Sequence, residues 1–165
     1  MDVPSSGINE GMKTVGARCN FLKASFELKT ALQLAGQRER YSLDAALFRE
    51  EQDNSGVYLL LRGRVRMSVE SLPRLDRLFG AGSLLGLPST FTGRRYSLTA
   101  VALTEVESAH VPQDVFLQMM RDRPELCREA MEMLGREVSF IHTALAERRK
   151  RVASKRVCEE VATVS

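Results

Sequence analysis

The chain of 165 residues has no tryptophan, three tyrosines and three cysteines, and no run of apolar residues approaches the roughly 20 needed to cross a bilayer. The scarcity of aromatics argues against an exposed stacking platform for single-stranded nucleic acid. Cys19, Cys127 and Cys158 are odd in number and form no C-x-x-C pair, which argues against a disulfide framework and favours a reduced, cytoplasmic setting. No metal is expected. His110 and His142 are remote from the cysteines in sequence, and each is read as a single surface or packing histidine. The N-terminus lacks a basic start followed by an apolar core, so neither a secretion signal nor an anchor is expected.

Motifs of catalysis are missing as well. There is no G-K-[ST] phosphate loop, no H-E-x-x-H and no nucleophile and base at interpretable spacing, so the chain reads as noncatalytic. Glu50, Glu51 and Asp53 cluster at an apparent turn and read as solvated carboxylates.

Charge is distributed unevenly. The formal net charge is +3, yet residues 148–165 carry six basic and two acidic side chains, which leaves the preceding residues near neutrality. Residues 1–19, with Ser5, Ser6 and three glycines but no sustained period, read as a flexible arm. From Asn20 onward, Leu22, Phe26, Leu28, Ala31, Leu32 and Ala35 recur mostly at helical spacing before Gly36, which predicts a short amphipathic helix.

Between Arg40 and Val111 the period shortens to two. Val65, Met67 and Val69 alternate with Arg64, Arg66 and Ser68, and turn residues separate short segments, which predicts six to eight strands. Gly63, between the Val57–Arg62 run and that alternation, predicts a tight hairpin. The expected fold is mainly β with flanking helices, a jelly-roll barrel followed by a long C-terminal helix.

Pro112, Gln113 and Asp114 open a helix bearing Phe116, Met119 and Met120, and the segment Asp122 to Glu125 breaks and restarts it. In the long helix that follows, Cys127, Met131, Leu134, Val138, Ile141 and Leu145 alternate intervals of four and three, the spacing of a coiled-coil seam. The stripe fits a dimer interface, and it also fits an amphipathic helix packed on its own barrel. The organisation expected is an arm over 1–19, a helix and β-roll sensor over 20–123, a dimerisation helix over 124–151 and a basic tail over 152–165.

The order of helix, β roll, short helix and long helix resembles the sensor domains of the Crp/Fnr family of bacterial transcriptional regulators, over about Leu28 to Glu147. Leu47-Phe48-Arg49-Glu50 is similar to the family's L-F-x-E-G start, with Glu51 where glycine is usual. Val57 to Val65 resembles its Y-x-[IL]-x-x-G-x-[VA] hairpin, Ala102 to Val106 the strands after the ligand cassette, and residues 79–106 the cyclic nucleotide phosphate cassette itself.

In that family a glycine, the glutamate after it and an arginine ten residues beyond the glycine hold ribose and cyclic phosphate. The same spacing here reads Gly86, Leu87 and Tyr96. Leu87 cannot accept from a ribose hydroxyl, and Tyr96 has no charge to pair with phosphate. The resemblance implies Gly86, Leu87, Arg94, Arg95, Tyr96 and Ser97 as the residues at a ligand, with Ser97 a possible hydroxyl donor. Arg94 and Arg95 are either substitute anchors or solvated loop residues. Pro88 stiffens a turn that in the family commonly begins a short helix.

The resemblance implies a sensor acting in transcriptional regulation or signalling, as a homodimer. The effector is a small molecule or a protein partner, cyclic AMP and cyclic GMP are disfavoured, and no cofactor is assigned. The alternatives are a constitutive dimerisation scaffold, or nonspecific nucleic-acid binding through Arg148, Arg149, Lys150, Arg151, Lys155 and Arg156. Family regulators follow the long helix with a helix-turn-helix module of about 70 residues. Too few residues follow Arg151 here for one, so no sequence-specific DNA recognition by this chain alone is expected. Any contact of the basic cluster with phosphates should weaken steeply with salt.

Overall fold

The computed structural model describes residues 23–70 and 72–162. The arm expected over 1–19 lies outside the described residues, as do Leu22 and the side chain of Ile141.

The described residues form helix α1 (Phe26–Ala35), strands β1 (Gln37–Tyr41), β2 (Ala46–Phe48), β3 (Gly56–Arg62), β4 (Val65–Val69), β5 (Leu72–Phe79) and β6 (Leu84–Leu85), helix α2 (Leu87–Thr92), strands β7 (Thr99–Ala102) and β8 (Val106–Pro112), and helices α3 (Gln113–Asp122) and α4 (Pro124–Ala162). Two antiparallel four-stranded sheets, ordered β1-β8-β3-β6 and β2-β7-β4-β5, face each other as a jelly roll.

Strand parity divides the interior into two cores. Along β3, Val57 and Leu59 face the helices, while Tyr58 and Leu60 face the opposite sheet. This accounts for the uninterrupted apolar run of β3, which is buried on both faces. The helical core joins Leu28 and Leu32 of α1 to Phe116 and Met120 of α3 and to Leu126, Ala130 and Met133 of α4. The roll core gathers Leu47, Phe48, Tyr58, Val65, Met67, Phe79, Leu85 and Tyr96.

Two sequence expectations are corrected. The first helix begins at Phe26, with Ser25 as its cap, and Phe26 is 82% exposed instead of belonging to the apolar face. Leu28 and Leu32 set the inward face, and Phe26, two residues before Leu28, is turned almost half a revolution away. Gly63 does not close a hairpin either, because β3 and β4 lie in different sheets. It has φ +92° where the chain crosses between them, and a Cβ there would stand 2.2 Å from the Glu105 carbonyl oxygen. The hairpin in this region is β4 with β5, in which Val65 opposes Phe79 and Met67 opposes Arg77.

The long helix has 39 residues. At its start the Glu129 carboxylate accepts from the Ser25 N–H at 2.6 Å and the Ser25 hydroxyl at 2.8 Å, tying α4 to the cap of α1. One turn beyond Met133, Glu137 is buried against the roll. Burial raises its carboxyl above the ordinary value of 4.5, and the buried Arg77 of β5 offsets this in part.

The folded protein therefore holds this proton more firmly than the unfolded chain, and Glu137 contributes a loss of stability as pH rises from 4.5 through its folded value. Replacing Glu137 by Gln should remove that loss, so that the variant gains on the wild type with rising pH. Chemical denaturation of both proteins across this range measures the difference, and a constant difference would contradict the assignment.

Candidate functional site

The cassette begins where β6 ends. Gly86 adopts φ 83° and ψ 10°, the left-handed conformation that glycine takes without penalty, and caps α2. Pro88 sits in the first turn of α2, where its missing N–H costs no helical hydrogen bond, so the short helix forms despite the proline. Thr90 donates to the Gly86 carbonyl from both N–H (3.1 Å) and hydroxyl (2.8 Å), closing the turn.

Tyr96 occupies the middle of this site. Its N–H donates to the Gln52 carbonyl (3.0 Å), and its carbonyl accepts from the Glu51 N–H (2.8 Å). These two bonds direct its side chain into the roll, where it is 1% exposed and its ring stacks on Phe48 with centroids 4.1 Å apart. The phenol donates to the Gly56 carbonyl at 2.8 Å and accepts from the N–H groups of Gly56 and Ser55, each at 3.2 Å. Its ring also reaches the cassette turn, since a Cβ on Gly86 would lie 3.2 Å from Tyr96 Cε1.

The remaining residues named from the resemblance diverge. Leu87 is buried in the helical core with Leu84 and Phe116, on the side away from Tyr96. Arg94, Arg95 and Ser97 are exposed, and Arg95 Nε pairs with Asp53 Oδ1 at 3.1 Å. Residues 94–96 do not form a strand, so alternation gives no reason for Arg94 to share the inward face of Tyr96.

Sequence reasoning missed the polar groups around Tyr96. The Ser55 hydroxyl lies 3.2 Å from the Tyr96 hydroxyl, 3.1 Å from the Tyr58 hydroxyl and 3.2 Å from His110 Nε2. His110 Nδ1 lies 3.7 Å from Glu39 Oε1, and the Tyr41 hydroxyl donates to Glu39 Oε2. Burial pushes the Tyr58 phenol up to about 12 and also raises Tyr41, so both stay neutral at physiological pH. The signal in the sequence was the parity of Val106, Ser108 and His110, which sets His110 on the inner face once Val106 is placed in the roll core.

Among the described residues no group of three His, Cys, Asp or Glu side chains could hold a metal ion, and no helix is long and apolar enough to cross a membrane. On α4, Cys127 and Leu134 pack against the helical core, Met131 and Val138 are 50% and 40% exposed, and Leu145 is half-buried. Arg149, Lys150, Arg151, Lys155 and Arg156 are exposed, and the helix continues through the expected tail to Ala162.

Replacing Tyr96 by Phe should keep the stacking on Phe48 but leave the buried Gly56 carbonyl without its donor, costing about 1–3 kcal/mol. Urea denaturation measures this, and an unchanged midpoint would show that the hydroxyl does not hold the cassette.

Comparison with known proteins agrees with this geometry. Residues 38–123 match the cyclic nucleotide-binding domain family. The chain is 23% identical over 104 residues to the CRP-like cAMP-activated global transcriptional regulator of Mycobacterium tuberculosis, covering 61% of this chain and 46% of that protein. It thus spans about half the length of the curated relatives it matches. Among solved structures it is similar in fold to the catabolite activator protein of Thermus thermophilus, with a TM-score of 0.64, 23% identity and coverage of 73% of this chain and 58% of that one. It is also similar to the c-di-GMP responsive global regulator CLP of Xanthomonas campestris, with a TM-score of 0.58, 18% identity and coverage of 68% and 57%. With roll, cassette and flanking helices arranged in this way, the chain belongs to the cyclic nucleotide-binding domain family.

Proposed function

We propose that the chain is a noncatalytic sensor domain of Crp/Fnr type, acting in transcriptional regulation or signalling, with a cassette that no longer takes a cyclic nucleotide by charge pairing. The observation that carries this reading is the Tyr96 hydroxyl, which engages both backbone polar groups of Gly56 from inside the roll. A phosphate entering there would meet a neutral phenol already bonded to protein, and would have to displace a ring stacked on Phe48. Leu87, turned into the helical core, offers a ribose hydroxyl no acceptor. Arg94 and Arg95 stand in solvent, where pairing with an anion is screened.

Isothermal titration with cyclic AMP and cyclic GMP should give no binding, or binding weaker than about micromolar, roughly −8 kcal/mol. Submicromolar affinity for either would overturn the reading. Loss of that affinity in Arg94→Ala or Arg95→Ala would then identify the substitute anchor.

The long helix is the proposed dimer contact. Met131 and Val138 leave an apolar strip uncovered by the protomer, on the same helix that anchors to the roll through Leu126, Ala130 and Met133. Two copies packed along this strip would remove it from water. Sedimentation of the wild type at tens of micromolar should report a dimer, and Met131→Glu with Val138→Glu should give a folded monomer, because it places carboxylates in the seam. A wild-type monomer would refute the contact. A dimer whose thermal stability responds to no small molecule would favour the constitutive scaffold.

A further inference from the structure

We propose that His110 couples proton uptake to the hydrogen bonding of Tyr96, so that the cassette responds to acidity through the relay Glu39, His110, Ser55 and Tyr96. The proposal rests on Tyr96 as the residue that fills the cassette and adds an input to it.

The relay follows from strand pairing. His110 of β8 opposes Tyr58 of β3 and Gln37 of β1, while Glu39 opposes Ser108 and Tyr41 opposes Val106. Cross-strand partners share a face, so Glu39, Tyr41, Tyr58, Ser108 and His110 stand together on the inner face of one sheet. Arg38, Arg40 and Glu107 alternate to the outer face, where Arg40 pairs with Glu107 at 3.3 Å. Arg77, buried on β5, belongs to the opposite sheet. Among the described residues, the charged group against the imidazole is thus Glu39, and Tyr41, Tyr58 and Tyr96 are the other titratable groups that face it from β1, β3 and the cassette. The His110 side chain is 16% exposed, enough to exchange protons with solvent.

The direction of the hydrogen bonds changes with one proton. In neutral His110, the carboxylate of Glu39 selects the tautomer protonated at Nδ1, which leaves Nε2 an acceptor. The Ser55 hydroxyl, 3.2 Å away, then donates to Nε2 and has no proton to give to Tyr96. When Nε2 takes a proton from solvent, it becomes a donor to Ser55 Oγ. The Ser55 hydroxyl proton must turn to another acceptor, and the Tyr58 and Tyr96 oxygens lie 3.1 Å and 3.2 Å away. Tyr96 keeps its own proton on the Gly56 carbonyl and accepts the Ser55 proton in place of the Gly56 N–H, which retains its shorter 2.8 Å bond to Asn54 Oδ1. An imidazole is the side chain of this set that ordinarily changes charge between about pH 5 and 8. The tilted contact of its ring with Tyr58, at 4.5 Å, carries the same charge change to a second aromatic of the roll.

The test is heteronuclear magnetic resonance of the full chain, in a His142→Gln background that leaves His110 as the one imidazole. Titration from about pH 5 to 8 should move the Tyr96 ring signals and the Gly56 amide with the same midpoint as the His110 ring. Ser55→Ala should leave the imidazole titrating but abolish the Tyr96 response, and His110→Gln should abolish both. Tyr96 signals that stay fixed while His110 titrates, or that still move in Ser55→Ala, would overturn the proposal. Either failure leaves the nucleotide reading intact, because calorimetry tests that separately.

Discussion

Everything at the centre of this domain is built against Gly56. It stands at the start of β3 with φ +140°, and a Cβ on it would lie 2.0 Å from the Val111 carbonyl oxygen. Only a residue without a side chain lets β8 pass so close while leaving both polar groups of its own backbone open toward the roll. Those two groups meet the Tyr96 phenol, and the carbonyl lies 3.0 Å from the Cβ position of Gly86. The cassette turn, the aromatic that fills it and the central sheet therefore converge on one residue, and movement of any of them is felt by the others.

This convergence suits a tyrosine better than it would suit an arginine. An arginine in the roll is a charge awaiting a counterion, and its desolvation is offset only when an anion arrives. A tyrosine carries no such deficit. Its ring contributes to the apolar core, and its hydroxyl donates to the buried Gly56 carbonyl.

The alternation of Val65, Met67 and Val69, the turn glycines and the heptad spacing of α4 were all legible in the sequence, because each follows from a local period. Pairing between distant strands was not. Gly63 announces a positive φ, but whether the chain then folds back or crosses to another sheet depends on Glu105, forty-two residues on. Gly86 and Tyr96 were singled out by resemblance, while the bonds that Tyr96 makes to the Gly56 backbone were not legible. Leu87 was singled out too, but alternation from Leu84 and Leu85 would set it in the roll; the left-handed turn at Gly86 and the start of α2 carry it to the helical side, which only the fold reveals. His110, Ser55 and Glu39 were invisible as a group, since two strands and a loop bring them together from residues 39 to 110. Phe26 misled because helical spacing locates a stripe without saying which of two adjacent stripes is covered.

The long helix has a mechanical consequence. Beyond Glu137 its described side chains are exposed apart from Leu145, and about 25 residues remain to Ala162, or roughly 37 Å at 1.5 Å each. A rod of that length multiplies angle into distance: a tilt of about 5° where Met133 and Glu137 meet the roll moves the far end by about 3 Å, comparable to the one- to two-ångström helix shifts that drive allosteric transitions. The basic side chains from Arg149 to Arg156 ride along the outer half of this lever, so a change too small to disturb the roll is amplified where the positive charge is carried.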